Sequence, residues 1–208
     1  SPLVQHQLSA GVDGGRTVYA CLKDASGRVN AATISDTITL DTTAPAVTAY
    51  ALAGGDYTTT TAATLNMTVT GVTEMRISGD ISAVAGGTPN AWMTYNAPHG
   101  VTLSAGDGLK TVTAQFRDAA GNVTSLYSDT VTLDQTRPTG SVTINNNDAK
   151  TAALLATLTI TAAGDTEKMY LATASIADCG AVPSGNFIVM LLPVSAAGAL
   201  MPDAHVGY

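Results

Sequence analysis

One segment of this chain is written twice. Residues 16–45 read RTVYACLKDASGRVNAATISDTITLDTTAP, and residues 110–138 read KTVTAQFRDAAGNVTSLYSDTVTLDQTRP. The copies lie 94 residues apart at Thr17/Thr111, Val18/Val112, Asp24/Asp118 and Gly27/Gly121. They lie 93 apart at Ser35/Ser128, Asp36/Asp129, Leu40/Leu133, Asp41/Asp134 and Pro45/Pro138, so the second copy is one residue shorter. A second pair repeats as well: residues 64–78, TLNMTVTGVTEMRIS, match residues 157–172, TLTITAAGDTEKMYLA, with Leu65/Leu158, Gly71/Gly164 and Glu74/Glu167 again 93 apart. A period of this length exceeds a solenoid unit and equals one small β-sandwich domain.

The pattern within the repeat is that of strands. Residues 111–116 alternate, with Val112, Ala114 and Phe116 on one face. Residues 64–70 turn Leu65, Met67 and Val69 inward, and residues 73–78 do the same with Met75 and Ile77. DAAGN at 118–122 predicts a turn, in which Asp118 bonds the backbone ahead of it and Gly121 supplies a positive φ. Residues 123–133 are expected to return as the partner strand. DTTAP at 41–45 and DQTRP at 134–138 each follow a strand; proline fixes φ and cannot extend a central strand, so both read as short, stiff domain junctions. Short strands separated by regular turn signals, with no amphipathic helix pattern, predict an antiparallel sandwich.

Composition narrows the partners. Charged residues are 12% of the chain, against about 25% in ordinary soluble domains. Apolar residues reach 45%, enough for a buried core. Thr, Ala, Gly and Val take the place of the charges, as strands and tight turns require. The net charge is −7 and there is no basic run, which argues against a nucleic-acid partner. A surface so poor in charge is weakly protected against self-association; the plainer reading is a small-residue surface of Thr and Ser, the sharper one a surface largely covered by neighbours. No secretory signal pattern opens the sequence, which therefore reads as a mature chain or a segment. The longest apolar run, FIVMLLPVSAAGALM at 187–201, is too short to span a bilayer and is broken by Pro193 and Gly198, so no membrane insertion is expected.

The stretch LSAGDGLKTVTAQFRDAAGNVTSLYSDTVTLD followed by T-x-x-P resembles the tandem immunoglobulin-like repeats of bacterial surface proteins and some phage virion proteins. The resemblance covers residues 41–138 well and the flanks in part. Arg28 stands where the turn has Asn in the other copy, and the pattern drifts after about Ile176. The resemblance implies an all-β fold of immunoglobulin-like β-sandwiches in an extracellular, cell-surface or virion-surface setting. Members of the family serve mostly as stalks, spacers, adhesin arms or virion decorations, and their motif residues are structural.

Set against one repeat with strands lettered A to G, residues 42–135 hold a complete domain. Residues 1–41 hold the late half (F and G), and residues 136–208 the early half (A to E). A half sandwich leaves apolar side chains in water, at about 25 cal/mol per Å², and leaves strand edges unpaired. Three arrangements answer this. The early half of one copy can accept the late half of the next, adding strands head-to-tail into a filament. The halves can meet within one chain, by a sharp fold-back across the two junctions. Or the sequence can be a window of a longer tandem array.

The first arrangement is the preferred expectation: a structural, non-enzymatic subunit whose partners are copies of itself. Val18, Ala20 and Leu22 would be the inserted side chains, and Leu158, Ile160, Phe187, Val189 and Leu191 the receiving core. Cys21 lies in the late half and Cys179 in the early half, so the pair is a candidate disulfide within or between chains, subject to geometry and redox context. The runner-up is a stalk or adhesin segment that presents or binds a ligand such as a glycan.

Other chemistry is sparse. His6, His99 and His205 are far apart and show no zinc-ligand spacing, and no nucleophile elbow or phosphate loop is present. No cofactor is expected. Asp41, Glu74 and Asp118 are brought near a domain junction by the sandwich topology and form the best candidate for Ca²⁺, against the plainer reading of an Asx-turn bonded to the linker. Trp92 and Tyr95 form the candidate pair for stacking a ligand, against the plainer reading of core aromatics. The N-x-T sequons at Asn66 and Asn122 read as fortuitous.

Overall fold

The structure is a computed structural model that describes residues 3–164, 166–186 and 188–189. The chain divides into two compact units, Ser1–Gln135 and Thr136–Tyr208. The described residues form strands and three single-turn 3-10 helices, with no α-helix among them.

The first unit opens with an antiparallel hairpin of β1 (Gly14–Ala20) and β2 (Ile34–Leu40). After the Asp41–Pro45 junction come nine strands: β3 (Ala46–Leu52), β4 (Tyr57–Thr58), β5 (Ala62–Thr70), β6 (Glu74–Gly79), β7 (Ile81–Val84), β8 (Met93–Thr94), β9 (His99–Leu103), β10 (Gly108–Arg117) and β11 (Tyr127–Leu133). They form two sheets, one ordered β3-β5-β9-β7 and the other β4-β11-β10-β6-β8. All pairings are antiparallel except β4 on β11.

Strand alternation explains the layering. Leu65 and Met67 of β5, Val101 and Leu103 of β9, Met75 and Ile77 of β6, and Val112, Ala114 and Phe116 of β10 point inward and are buried. The intervening residues of the two long strands, Thr64, Asn66 and Thr68 on β5 and Thr111, Thr113 and Gln115 on β10, are exposed or half-buried. Every position read from the sequence as inward on these strands is buried, apart from half-buried Val69, which packs against the same core. This is an all-β sandwich built around one apolar layer. Phe116 sits at its centre, with Tyr95 edge-on at 6.0 Å and Tyr127 tilted at 6.3 Å between ring centroids.

The turn at 118–122 forms as its residues dictate. Asp118 Oδ1 accepts the Gly121 and Asn122 amides at 2.8 and 2.9 Å, and Gly121 has φ 95°. The return strand is shorter than expected. It begins at Tyr127 rather than at residue 123, and Val123 makes only an isolated bridge to Arg117. The cause is Thr124: buried, it accepts the Phe116 amide on Oγ1 at 3.1 Å and donates its own amide to the Phe116 carbonyl at 2.9 Å. Those bonds wrap residues 123–126 around the end of β10 instead of extending the ladder.

The second unit contains β12 (Gly140–Ile144) paired antiparallel with β13 (Leu158–Ala162), and β14 (Lys168–Met169) paired with β15 (Ile188–Val189). The single-turn helices are Asn145–Asn147, Cys179–Ala181 and Ser184–Asn186. Asn145, Asn146 and Asn147 all have positive φ, which asparagine tolerates better than other side-chain-bearing residues.

Candidate assembly surfaces

The β1–β2 hairpin reproduces β10–β11 residue for residue. Gly14 faces Leu40, Arg16 faces Ile38, Val18 faces Asp36 and Ala20 faces Ile34. In the sandwich Gly108 faces Leu133, Lys110 faces Val131, Val112 faces Asp129 and Ala114 faces Tyr127. The loops correspond too. The bridge Lys23–Val29 matches Arg117–Val123, and the Asn30 amide reaches the Leu22 carbonyl as the Thr124 amide reaches that of Phe116. Leu22 therefore stands at the position of Phe116.

Polar side chains keep their tasks in both copies. Asp24 Oδ1 accepts the Ser26 and Arg28 amides, as Asp118 accepts those of Gly121 and Asn122. Hydrogen bonds led by the Ser26 hydroxyl hold Asp24 below the usual carboxylate range, and bonds led by the Asn122 side chain do so for Asp118. Asp13 binds the amide and hydroxyl of Thr42 and the hydroxyl of Thr43, where Asp107 binds the Gln135 amide. Arg16 bends back to the Ser9 carbonyl as Lys110 bends back to that of Ala105.

The copies differ in what covers them. In the sandwich the shared inward face is closed by the second sheet: Lys110, Val112, Ala114, Phe116, Val131 and Leu133 are all buried. In the hairpin the same face is open. Leu22 is 61% exposed, Ile34 50% and Ile38 59%; Ala20 is exposed and Val18 half-buried. Burying each of the large residues would stabilise by about 1.5–3 kcal/mol, and a lone hairpin is at best marginal in water.

The β12–β13 pair reproduces β3–β5. Ile144 faces Leu158 and the next amide, Asn145, bonds the Thr157 carbonyl at 2.8 Å. Leu52 faces Leu65 and the Ala53 amide bonds the Thr64 carbonyl at 2.8 Å. Val142 opposite Ile160 corresponds to Tyr50 opposite Met67. The bulge between Val47 and Ala49 has no counterpart in β12, which explains why the spacing drops from 93 at Pro45/Pro138 to 92 at Leu52/Ile144. Val142 and Ile144 are each 55% exposed, Leu158 is exposed and Ile160 half-buried, whereas Leu52, Leu65 and Met67 are buried. Val189 lies in β15, opposite Lys168. Phe187 and Leu191 lie outside the described residues.

One relationship escaped the sequence reading. Asp129 sits on the inward face of β11, and its Oδ2 accepts the Leu52 amide of β3 at 2.7 Å. The carboxylate thus ties one sheet to the other. Burial, and after it the charge of Asp129, push the nearby Tyr50 hydroxyl pKa up. Asp36 occupies the same position in the hairpin, where its Oδ1 accepts the adjacent Thr37 amide at 2.9 Å. The signal was present: an Asp at an inward position, between apolar residues, in both copies.

The remaining candidates are placed as follows. Cys21 and Cys179 are free thiols, both exposed; Cys21 holds the position of Gln115 just past β1, and Cys179 begins a 3-10 turn. Asp41, Glu74 and Asp118 are not assembled as a ligand set, and no group of three or more acidic, His or Cys side chains fit for a metal occurs among the described residues. Asp118 is engaged by its own turn, the Asn122 side chain donates to the Asp41 carbonyl at 3.0 Å, and Glu74 pairs with Arg117 at 2.6 Å. That ion pair holds Glu74 below its usual pKa. Trp92 is half-buried beneath two guanidinium groups, Arg117 at 4.5 Å and Arg76 at 5.0 Å from the ring centroid, a cation–π stack. Tyr95 packs on the core, with its hydroxyl 3.4 Å from the Met67 carbonyl. No helix among the described residues is long and apolar enough to cross a membrane.

Comparison of the chain with protein-family models, with curated proteins and with solved structures found no match.

Proposed function

We propose that this chain is a structural subunit of an extracellular filament or virion surface, without enzymatic activity. Copies join head-to-tail by β-strand complementation between immunoglobulin-like partial domains. The observation that carries the reading is the paired exposure just described. The hairpin has the register of β10–β11 and the β12–β13 pair that of β3–β5, and in the sandwich those two strand pairs cover each other. Each exposed face is the template of what the other lacks. Docking the hairpin of one copy on the second unit of the next would bury Leu22, Ile34 and Ile38 against Val142, Ile144 and Leu158, and would pair open strand edges. A contact of this kind is heterologous and propagates rather than closing on itself.

The finer fold assignment has its own support. The strand order β3-β5-β9-β7 follows the A-B-E-D arrangement of immunoglobulin-type sandwiches, and β11-β10-β6 follows G-F-C, with the two-residue strands β4 and β8 added at the edges of that sheet. In this register Cys21 takes the place of Gln115, whose cross-strand neighbour is Arg76 on β6, and the thiols of Cys21 and Cys179 are both exposed.

The test is the assembly state of the purified chain. Light scattering coupled to size-exclusion chromatography should show mass rising with concentration, and negative-stain images should show rods with a regular axial repeat. Ile38→Glu should abolish both. A wild-type chain that stays monomeric at every concentration overturns the proposal and leaves a spacer.

A further inference from the structure

We infer that Asp36 is the polar recognition group of this joint: its carboxylate accepts the Ile144 amide of a second copy. The inference rests on the head-to-tail reading above and names the group that fixes register and partner within it.

The first argument is positional. Asp36 faces Val18 on β2 as Asp129 faces Val112 on β11, and Asp129 binds the Leu52 amide at 2.7 Å. Leu52 is matched in the second unit by Ile144, by both its cross-strand partner and the hydrogen bond of the following residue. Superposing the hairpin on β10–β11 and β12–β13 on β3–β5 therefore brings the Asp36 carboxylate to the Ile144 N–H.

The second argument is the phase of the ladder. In an antiparallel pair, amides alternate between pointing at the partner strand and pointing away. The Asn145 amide bonds the Thr157 carbonyl, so the Ile144 amide points away from β13. It is directed outward, as that of Leu52 is directed at Asp129.

The third argument is cost. A carboxylate on the face of a strand that must be buried is unfavourable unless it is hydrogen-bonded. Asp36 stands between Ile34 and Ile38 on that face. Its present bond to the neighbouring Thr37 amide is one that an exposed Asp makes anywhere. Only an amide arriving with the covering strand offsets its burial.

The identity of the occupant follows from side-chain size. In the sandwich this corner is aromatic: Tyr50 of β3 lies 6.2 Å from Tyr127 of β11, beside Phe116. At the matching positions the hairpin carries Ile34 and Leu22, and β12 carries Val142. Both faces are aliphatic where the sandwich is aromatic, so the hairpin is matched to the second unit of another copy. The β3–β5 face of another sandwich is already covered by its own β11.

Full-length wild type, Asp36→Ala and Asp36→Asn are compared by sedimentation velocity, and amide exchange is followed by mass spectrometry in peptides spanning residues 140–146. Wild type should assemble with the Ile144 amide protected. Asp36→Ala should weaken association about tenfold to a hundredfold, as expected for a bond to a charged acceptor, and the Ile144 amide should exchange. Asp36→Asn keeps an acceptor of the same shape and should lose less, which preserves the test if the Ala variant disorders the hairpin. If both variants assemble like wild type with Ile144 equally protected, the role of Asp36 is overturned while head-to-tail assembly stands. If wild type itself does not assemble, both fall.

Discussion

The Asp129 carboxylate accepts the Leu52 amide at 2.7 Å, joining β11 of one sheet to β3 of the other. The bond is partly buried and its acceptor is charged, so losing the acceptor strands an amide that no ladder partner satisfies. Asp129→Ala should destabilise the sandwich by about 1–3 kcal/mol. Urea denaturation would show this as a lower midpoint with an unchanged slope. An unchanged midpoint would mean that water replaces the carboxylate at no cost.

Phe116 is completely buried at the centre of the core, against Tyr95 and Tyr127. Its truncation to Ala should cost about 3–5 kcal/mol, from lost burial and the cavity left behind. Phe116→Leu imports the residue found at the matching position of the hairpin, Leu22, and should cost markedly less than Ala. The ordering Phe, Leu, Ala in thermal midpoint is the measurement; equal losses would show that the aromatic edge contacts, rather than volume, set the stability of this layer.

These two positions also show what the sequence could and could not reveal. Phe116 was legible because alternation in residues 111–116 forces every second side chain inward, and the repeat independently marked the strand. The turn at Asp118 was legible from its own residues, and its bond toward Asp41 from the sandwich topology that brings this turn to the domain junction. Asp129 was visible as half of a repeated pair but had no readable role, because its partner amide lies 77 residues away on a strand of the other sheet. The stacking of Arg76 and Arg117 on Trp92 was hidden likewise, since strand pairing across β6 and β10 creates it. Tyr95 offered an aromatic near a Trp, and its packing against Phe116 depends on the crossing of residues 95–98 from β8 of one sheet to β9 of the other. The start of β11 was misjudged because one buried threonine, Thr124, outcompetes four residues of strand-like sequence.

Gly79 ends β6 with φ +106°, and a Cβ there would stand 2.2 Å from the Thr111 carbonyl oxygen of β10. Neither the backbone angle nor the neighbouring strand can give way without loosening the β6–β10 pairing. Gly79→Ala should therefore destabilise far more than Gly106→Ala. At Gly106 φ is +85° but a Cβ meets nothing within 4 Å, so only the dihedral cost of about 1–2 kcal/mol applies. The two variants, compared by thermal unfolding, separate steric conflict from conformational strain. Equal midpoints would contradict the close approach of Thr111.

His99 begins β9 with its ring inside the sandwich. Nδ1 lies 2.5 Å from the Asn96 side-chain oxygen, an acceptor, so Nδ1 carries the proton of the neutral ring; Nε2 is buried without a hydrogen bond. Desolvation holds the imidazole below its usual value of 6.5, with the Ala85 backbone partly offsetting it. As pH falls through 6.5, the unfolded chain takes up the proton first. Stability is then fully present above that value, declines below it, and stops declining once the folded ring is also protonated. The carboxylates with lowered values, Asp13, Asp24, Glu74 and Asp118, also lose their contribution as pH falls, but at lower pH, from about 4 downward. Denaturant midpoints measured from about pH 8 to about pH 5 should therefore fall on the acid side for wild type and stay level for His99→Gln, a variant whose side chain can still hydrogen-bond but cannot titrate. A wild-type midpoint independent of pH over that range would mean that the buried ring accepts its second proton as readily as it does in water.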